Sequence, residues 1–130
     1  MKQLLKKLYK IFPFKKQLFI ILKKVSKPKE SIYKHLHFNG IIKIDVETHE
    51  AEVLEGFSKY IKIFKPIILI EILNDTVGRN VEKLVEGNDY LFFNIDEKKG
   101  IRQVNKITRS DYYNYLLCSK EIAIAIHLIN

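Results

Sequence analysis

Within five residues the chain gathers Asp45, Glu47, Thr48 and His49, and farther on Glu71 breaks the apolar run from Ile67 to Leu73. These residue types can do proton chemistry. A carboxylate at the end of an apolar strand, as at Asp45, can orient a hydroxyl or act as a base; it can equally end a strand and accept from helix N–H groups. Strand alternation sets Glu47 on the same side as Asp45, unless the turn swings it out. His49 has the ordinary pKa of a general base, but a histidine early in a helix is also a common exposed residue. Glu71 cannot be buried alone without cost, so it needs a partner or the solvent end of its strand. Tyr112, Tyr113 and Tyr115 read as packing residues rather than a substrate platform. His35 and His37 would share one face of a strand, but a metal site wants at least three protein ligands. No third is close in sequence, so no metal is expected.

The elements that must hold these residues can be read from 41–73. Ile41 to Val46 is short and β-branched, as a strand is. Thr48 is expected to cap the following helix, with Glu50 and Glu52 in its first turn, where the helix dipole favours negative charge. Val53, Leu54, Phe57, Tyr60 and Ile61 recur at helical spacing. Pro66 ends the connection, and Ile67 to Ile70 is apolar throughout, as in a strand covered on both faces. Strand, helix, strand makes a βαβ unit. Ligands of such sheets sit beyond the carboxyl ends of the strands, where Asp45, Glu47, Thr48 and His49 lie.

Beyond Leu73, Asn74 to Thr76 is a turn and cap cluster. Val77, Val81, Leu84 and Val85 form a helical stripe, with Gly87 just past its end. Tyr90 to Ile95 and Ile101 to Val104 read as hairpin strands around Asp96 to Gly100. Tyr113 to Cys118 is a last strand, and Ser119 caps a closing helix.

Charge divides the chain into 1–40, a basic amphipathic helical arm, and 41–130, the α/β body. Of a net charge of +8, residues 1–40 hold eleven lysines and one acid, Glu30, while the remainder holds 12 basic and 14 acidic residues. The arm reads as two amphipathic helices separated by Pro13, the first carrying Leu4, Leu5, Leu8, Ile11 and Phe12, the second Leu18, Ile21, Leu22 and Val25. Two readings stay open: a peripheral membrane contact through residues 1–25, or a helical arm packed on the body with its lysines in water. Nucleic acid is disfavoured because aromatic platforms are not interleaved with the charge. Leu18 to Leu22 is too short to cross a bilayer or to form a signal-peptide core. The lone Cys118 forms no intrachain disulfide. The cytoplasm is the expected compartment, with the arm on the inner face of the membrane as its peripheral variant.

The run IIKIDVETHEAEVLEGF, followed by FKPIILIEIL, resembles the FkbM family of S-adenosylmethionine-dependent methyltransferases. The likeness is carried by Lys43 to Glu47, Glu50 to Gly56 and Pro66 to Glu71, and extends over about residues 41–120 through YLFFNID and YNYLLCS. It implies a class I methyltransferase fold, Rossmann-like, with parallel strands followed by antiparallel closing strands. It also implies methyl transfer to hydroxyl oxygens of small molecules or sugars. By resemblance, Asp45 faces both cofactor and substrate, Glu47 and His49 are catalytic candidates, and Glu71 faces the substrate crevice. The family's donor cradle is a glycine-rich turn, where glycines let the backbone approach the ligand. The five glycines here, Gly40, Gly56, Gly78, Gly87 and Gly100, contain no G-x-G. The expectation is therefore a partial sheet that has lost its cofactor half, by internal deletion or by the joining of two pieces, and that is inactive as a lone chain. A non-catalytic remnant binding a membrane or a partner is the alternative. On this view the strand of Asp45 has lost a neighbour, and its open edge is covered by residues from the arm or by a second copy in a homodimer.

Overall fold

The computed structural model describes residues 19–23 and 40–130. Six strands form one mixed sheet: β1 (Phe19–Lys23), β2 (Ile41–Asp45), β3 (Ile67–Glu71), β4 (Leu91–Asp96), β5 (Gly100–Val104) and β6 (Asn114–Cys118), in the order β1-β2-β3-β6-β4-β5. Three helices accompany them: α1 (Glu50–Phe64), α2 (Asp75–Val85) and α3 (Lys120–Ala125). Strands β1, β2 and β3 are parallel, and β6 returns antiparallel between β3 and β4.

This topology corrects one expectation and meets another in altered form. The stretch read as the second amphipathic helix holds a strand at Phe19–Lys23. A short apolar run fits either structure by periodicity, and pairing with β2 decides it. Strand β2 is consequently bonded on both sides, to β1 and to β3, so its flank is covered by residues of the arm, through a strand rather than the helix expected. The first amphipathic pattern, residues 1–12, and His35 and His37 lie outside the described residues. Among the described residues no helix is long and apolar enough to cross a membrane.

Alternation along the strands sorts the core onto two faces. Ile42, Ile44, Ile68, Ile70, Tyr115 and Leu117 point to one face, against Val53, Leu54, Phe57 and Ile61 of α1 and Val77, Val81 and Val85 of α2. Ile41, Ile67, Leu69, Phe93, Leu116 and Cys118 point to the other, where α3 contributes Ala123. The all-apolar β3 is explained by this two-sided burial. The helix ends follow local chemistry. Asn74 accepts from the Val77 amide at 2.9 Å, and Ser119 accepts from the Ile122 amide at 3.4 Å. Past the end of α2, Gly87 takes the left-handed conformation, at φ 76°.

Helix α2 is tied to the segment that leads into β6. Glu82 accepts from the Ile107 amide, and Asp75 accepts from the Arg109 amide at 2.6 Å. The approach is close because Gly78 has no side chain: a Cβ there would sit 2.2 Å from the Ile107 carbonyl oxygen. The obstacle is backbone and cannot rotate away. Gly78→Ala is therefore expected to destabilise the fold by about 1–3 kcal/mol, the usual cost of overpacking, as a lowered urea midpoint with an unchanged slope.

Candidate functional site

The carboxyl ends of β2 and β3 bring Asp45 and Glu71 together. Residues 41 to 44 of β2 are in register with 67 to 70 of β3, and one more step sets Asp45 opposite Glu71, both on the face that carries Ile41 and Leu69. The Asp45 carboxylate is close enough for its charge and a hydrogen bond to raise the proton affinity of Glu71. Lys43, one strand turn back on the same face, puts its Nζ 3.6 Å from Asp45 Oδ2. Across the sheet the same row continues to Asn114 of β6 and, on the other side, to the backbone of Lys23. Partial burial holds the Glu71 pKa above the ordinary carboxylate value, and the negative charges of Asp45 and then Glu50 push the same way; Lys43 opposes them.

The turn after β2 differs from a simple capped entry. Thr48 was expected to cap the helix, but it lies in the left-handed region at φ 79°, immediately after Glu47 at φ 52°. The N-cap residue is His49, whose side chain makes no capping bond. The capping task falls to Glu50. Its Oε1 accepts from the Val46 amide at 3.4 Å and from the Thr48 amide at 3.3 Å, so the carboxylate folds back under the turn. Glu50 is 0% exposed, and its Oε2 has no hydrogen-bond partner among the described residues. Burial raises its pKa, while its own amide and those of Val46 and Thr48 pull it down again.

The structure thus pairs Asp45 with Glu71 but does not bring His49 to them. The His49 side chain is 70% exposed, with Nδ1 3.6 Å from Glu52 Oε1. Glu47 is also exposed, because its left-handed backbone breaks the alternation. Glu50 is the residue that reasoning from the sequence missed, having been read only as a complement to the helix dipole. The signal was present: positions 50, 53, 54, 57 and 61 form one helical stripe, so Glu50 occupies a core position. Tyr115 is buried and donates to the Thr108 carbonyl, as expected of a packing residue. Burial pushes the Cys118 thiol up to about 12, which leaves it unreactive. Among the described residues no three metal-ligating side chains converge.

A mixed sheet with three parallel strands, carboxylates at their carboxyl ends and antiparallel closing strands is compatible with a methyltransferase-like α/β fold. A family model for the methyltransferase FkbM domain matches residues 28–97, more than half of the chain. The chain belongs to the FkbM methyltransferase family, whose members generally use S-adenosylmethionine. Neither a curated protein nor a solved structure matches it. The five glycines all lie among the described residues. Gly40 precedes β2 and accepts from the Ile67 amide, Gly56 is within α1, Gly78 packs on Ile107, Gly87 ends α2 and Gly100 opens β5. None follows the carboxyl end of a parallel strand, where a close backbone approach to the ligand would be needed.

Two consequences are measurable. A non-glycine residue in the left-handed region costs about 1–2 kcal/mol, more than the extra chain entropy of glycine, about 0.5–1 kcal/mol. Thr48→Gly should therefore stabilise the protein by about 0.5–1 kcal/mol in urea titrations. For Glu71 the folded pKa lies above the unfolded one, so the folded state holds more protons and its stability falls as pH rises above the ordinary glutamate value. Glu71→Gln mimics the protonated form. It should raise the melting temperature by about 2–4 °C near pH 8 and change it little near about pH 4.5.

Proposed function

We propose that the chain carries the acceptor side of an S-adenosylmethionine-dependent O-methyltransferase of the FkbM type, and that alone it does not turn over. The observation that carries this reading is the Asp45–Glu71 pair at the carboxyl ends of two adjacent parallel strands, inside the region matched by the family model. Two adjacent carboxyl groups of which one, Glu71, is shifted toward its protonated form provide both an acceptor and a donor. A hydroxyl placed between strand ends can give its proton to the unprotonated oxygen while its own oxygen accepts from the protonated group. That is the orientation a hydroxyl needs to present a lone pair to an electrophile, and the ionised carboxylate is the base that accepts the proton as the oxygen becomes a nucleophile. Lys43 places a positive charge 3.6 Å from Asp45, beside the position such a hydroxyl would take. Asp45 and Glu71 are the residues assigned these roles; Glu47 and His49, exposed at the rim, are assigned contact with the outer part of the acceptor.

Inactivity of the lone chain is supported by the placement of its glycines. Fixing donor and acceptor in line is the greater part of what a transferase site contributes, and the carboxylates address only one of the two. Isothermal titration calorimetry of the full 130-residue chain with S-adenosylmethionine tests this. The expected result is no saturable heat. Micromolar binding would overturn the reading of a missing cradle, and transfer of a labelled methyl group to a hydroxyl compound would overturn inactivity.

A further inference from the structure

We infer that Glu50 is a positioning residue: its buried carboxylate, held by the amides of Val46 and Thr48, clamps a strained left-handed turn and thereby keeps Asp45 opposite Glu71. The inference rests on the acceptor-side reading above, to which it adds the group that sets the geometry of the pair.

Three independent observations converge on the clamp. Glu47 and Thr48 are consecutive non-glycine residues with φ of 52° and 79°. A β-branched threonine is a poor occupant of that region, and strain of this kind persists only where the surroundings over-determine it. The restraint is visible: one oxygen of Glu50 receives the amide on each side of Glu47, from Val46 at 3.4 Å and Thr48 at 3.3 Å. The second oxygen is buried and has no hydrogen-bond partner among the described residues. A residue serving only stability would be better replaced here by an apolar one, because half of this carboxylate is desolvated without return. Its position does have a use at the site: it is close enough for the charge of Asp45 to act on it and for its own charge to act on Glu71.

The clamp itself responds to pH. Lys43 and Asp45 on β2, Glu71 on β3, and His49 and Glu52 in the first turn of α1 are the charged or titratable groups around Glu50. Asp45 raises the proton affinity of Glu50, Asp45 and Glu50 raise that of Glu71, and Lys43 opposes them at Glu71. Protonation of Glu50 weakens its hold on the Val46 and Thr48 amides, and the turn is then free to relax toward ordinary backbone angles.

The test is nuclear magnetic resonance on the full chain and on Glu50→Ala, Glu50→Asp, Thr48→Gly and the Glu50→Ala/Thr48→Gly double variant. In the native chain the amide proton shifts of Val46 and Thr48 should follow a single titration shared with the Glu50 carboxyl carbon. In Glu50→Ala, amide exchange at Val46 and Thr48 should accelerate at least about tenfold, a loss of local opening free energy, while Leu54, Phe57, Ile68 and Ile70 keep their protection. The Glu71 carboxyl should also return toward the ordinary range. If Glu50→Ala does not fold, Glu50→Asp, which keeps the charge but not the reach, should show the same local loss. Thr48→Gly takes the left-handed angle without strain, so the acceleration caused by Glu50→Ala should shrink at least about threefold in that background, a non-additivity diagnostic of direct coupling. Additive effects, or a Glu71 titration unmoved in both Glu50 variants, would overturn the clamp. Failure of the methyltransferase reading appears instead in calorimetry and methyl-transfer assays and leaves these resonances untouched.

Discussion

The carboxylate of Glu50, buried beneath the turn that leaves β2, is the interaction on which the arrangement of the site depends. A helix that starts immediately after a strand has unsatisfied amides at its first turn, and a short polar residue at the N-cap normally answers them. Here the N-cap is His49, which makes no such bond. The helix instead reaches back with its own first residue, and a full glutamate side chain is long enough to span to Val46 and Thr48. The amides and the positive end of the helix dipole offset much of the desolvation of that charge. The consequence is a compact turn with two left-handed residues, and a strand end whose last side chain, Asp45, stays in the register of the sheet.

That register matters because it makes neighbours of two acids that would otherwise repel. Asp45 and Glu71 belong to strands joined through the whole of α1, and each alone would be an ordinary strand-end carboxylate. Side by side, the charge of Asp45 adds to burial in raising the proton affinity of Glu71, and Lys43, 3.6 Å from Asp45, opposes it. The sheet supports this from both sides. Strand β1 closes the flank of β2, and the returning β6 closes the flank of β3. The α2 helix, locked onto the Ile107 segment through Gly78, fixes the approach of β6 and so the last member of the row, Asn114. The family match covers the stretch that builds the pair.

Much of this was legible one residue at a time. The stripes of α1 and α2, the unbroken apolar β3, the Asn74 and Ser119 caps and Gly87 past the end of α2 are local physics, and the structure repeats them. The strand at Phe19–Lys23 was misread because five apolar residues flanked by lysine satisfy a helical stripe as well as a strand; only hydrogen bonding to β2 distinguishes the two. Thr48 was misread because a threonine before a helix is ordinarily its cap, and a positive φ leaves no trace in residue type unless glycine is present. Glu50 was misread because charge near a helix start has a ready dipole explanation, although its place in the stripe with Val53, Leu54, Phe57 and Ile61 was a sign of burial.

By itself the sequence determined the order and kind of the elements from Ile41 onward, because periodicity, capping and turn chemistry act over a few residues. It also determined that the acids would gather where strands end. Which acids meet was decided by the tertiary structure. Pairing Asp45 with Glu71, excluding His49 to the surface and drawing Glu50 inward all depend on strand register and on the direction the backbone takes after β2. Those are set by packing between segments far apart in the chain, and no local pattern encodes them.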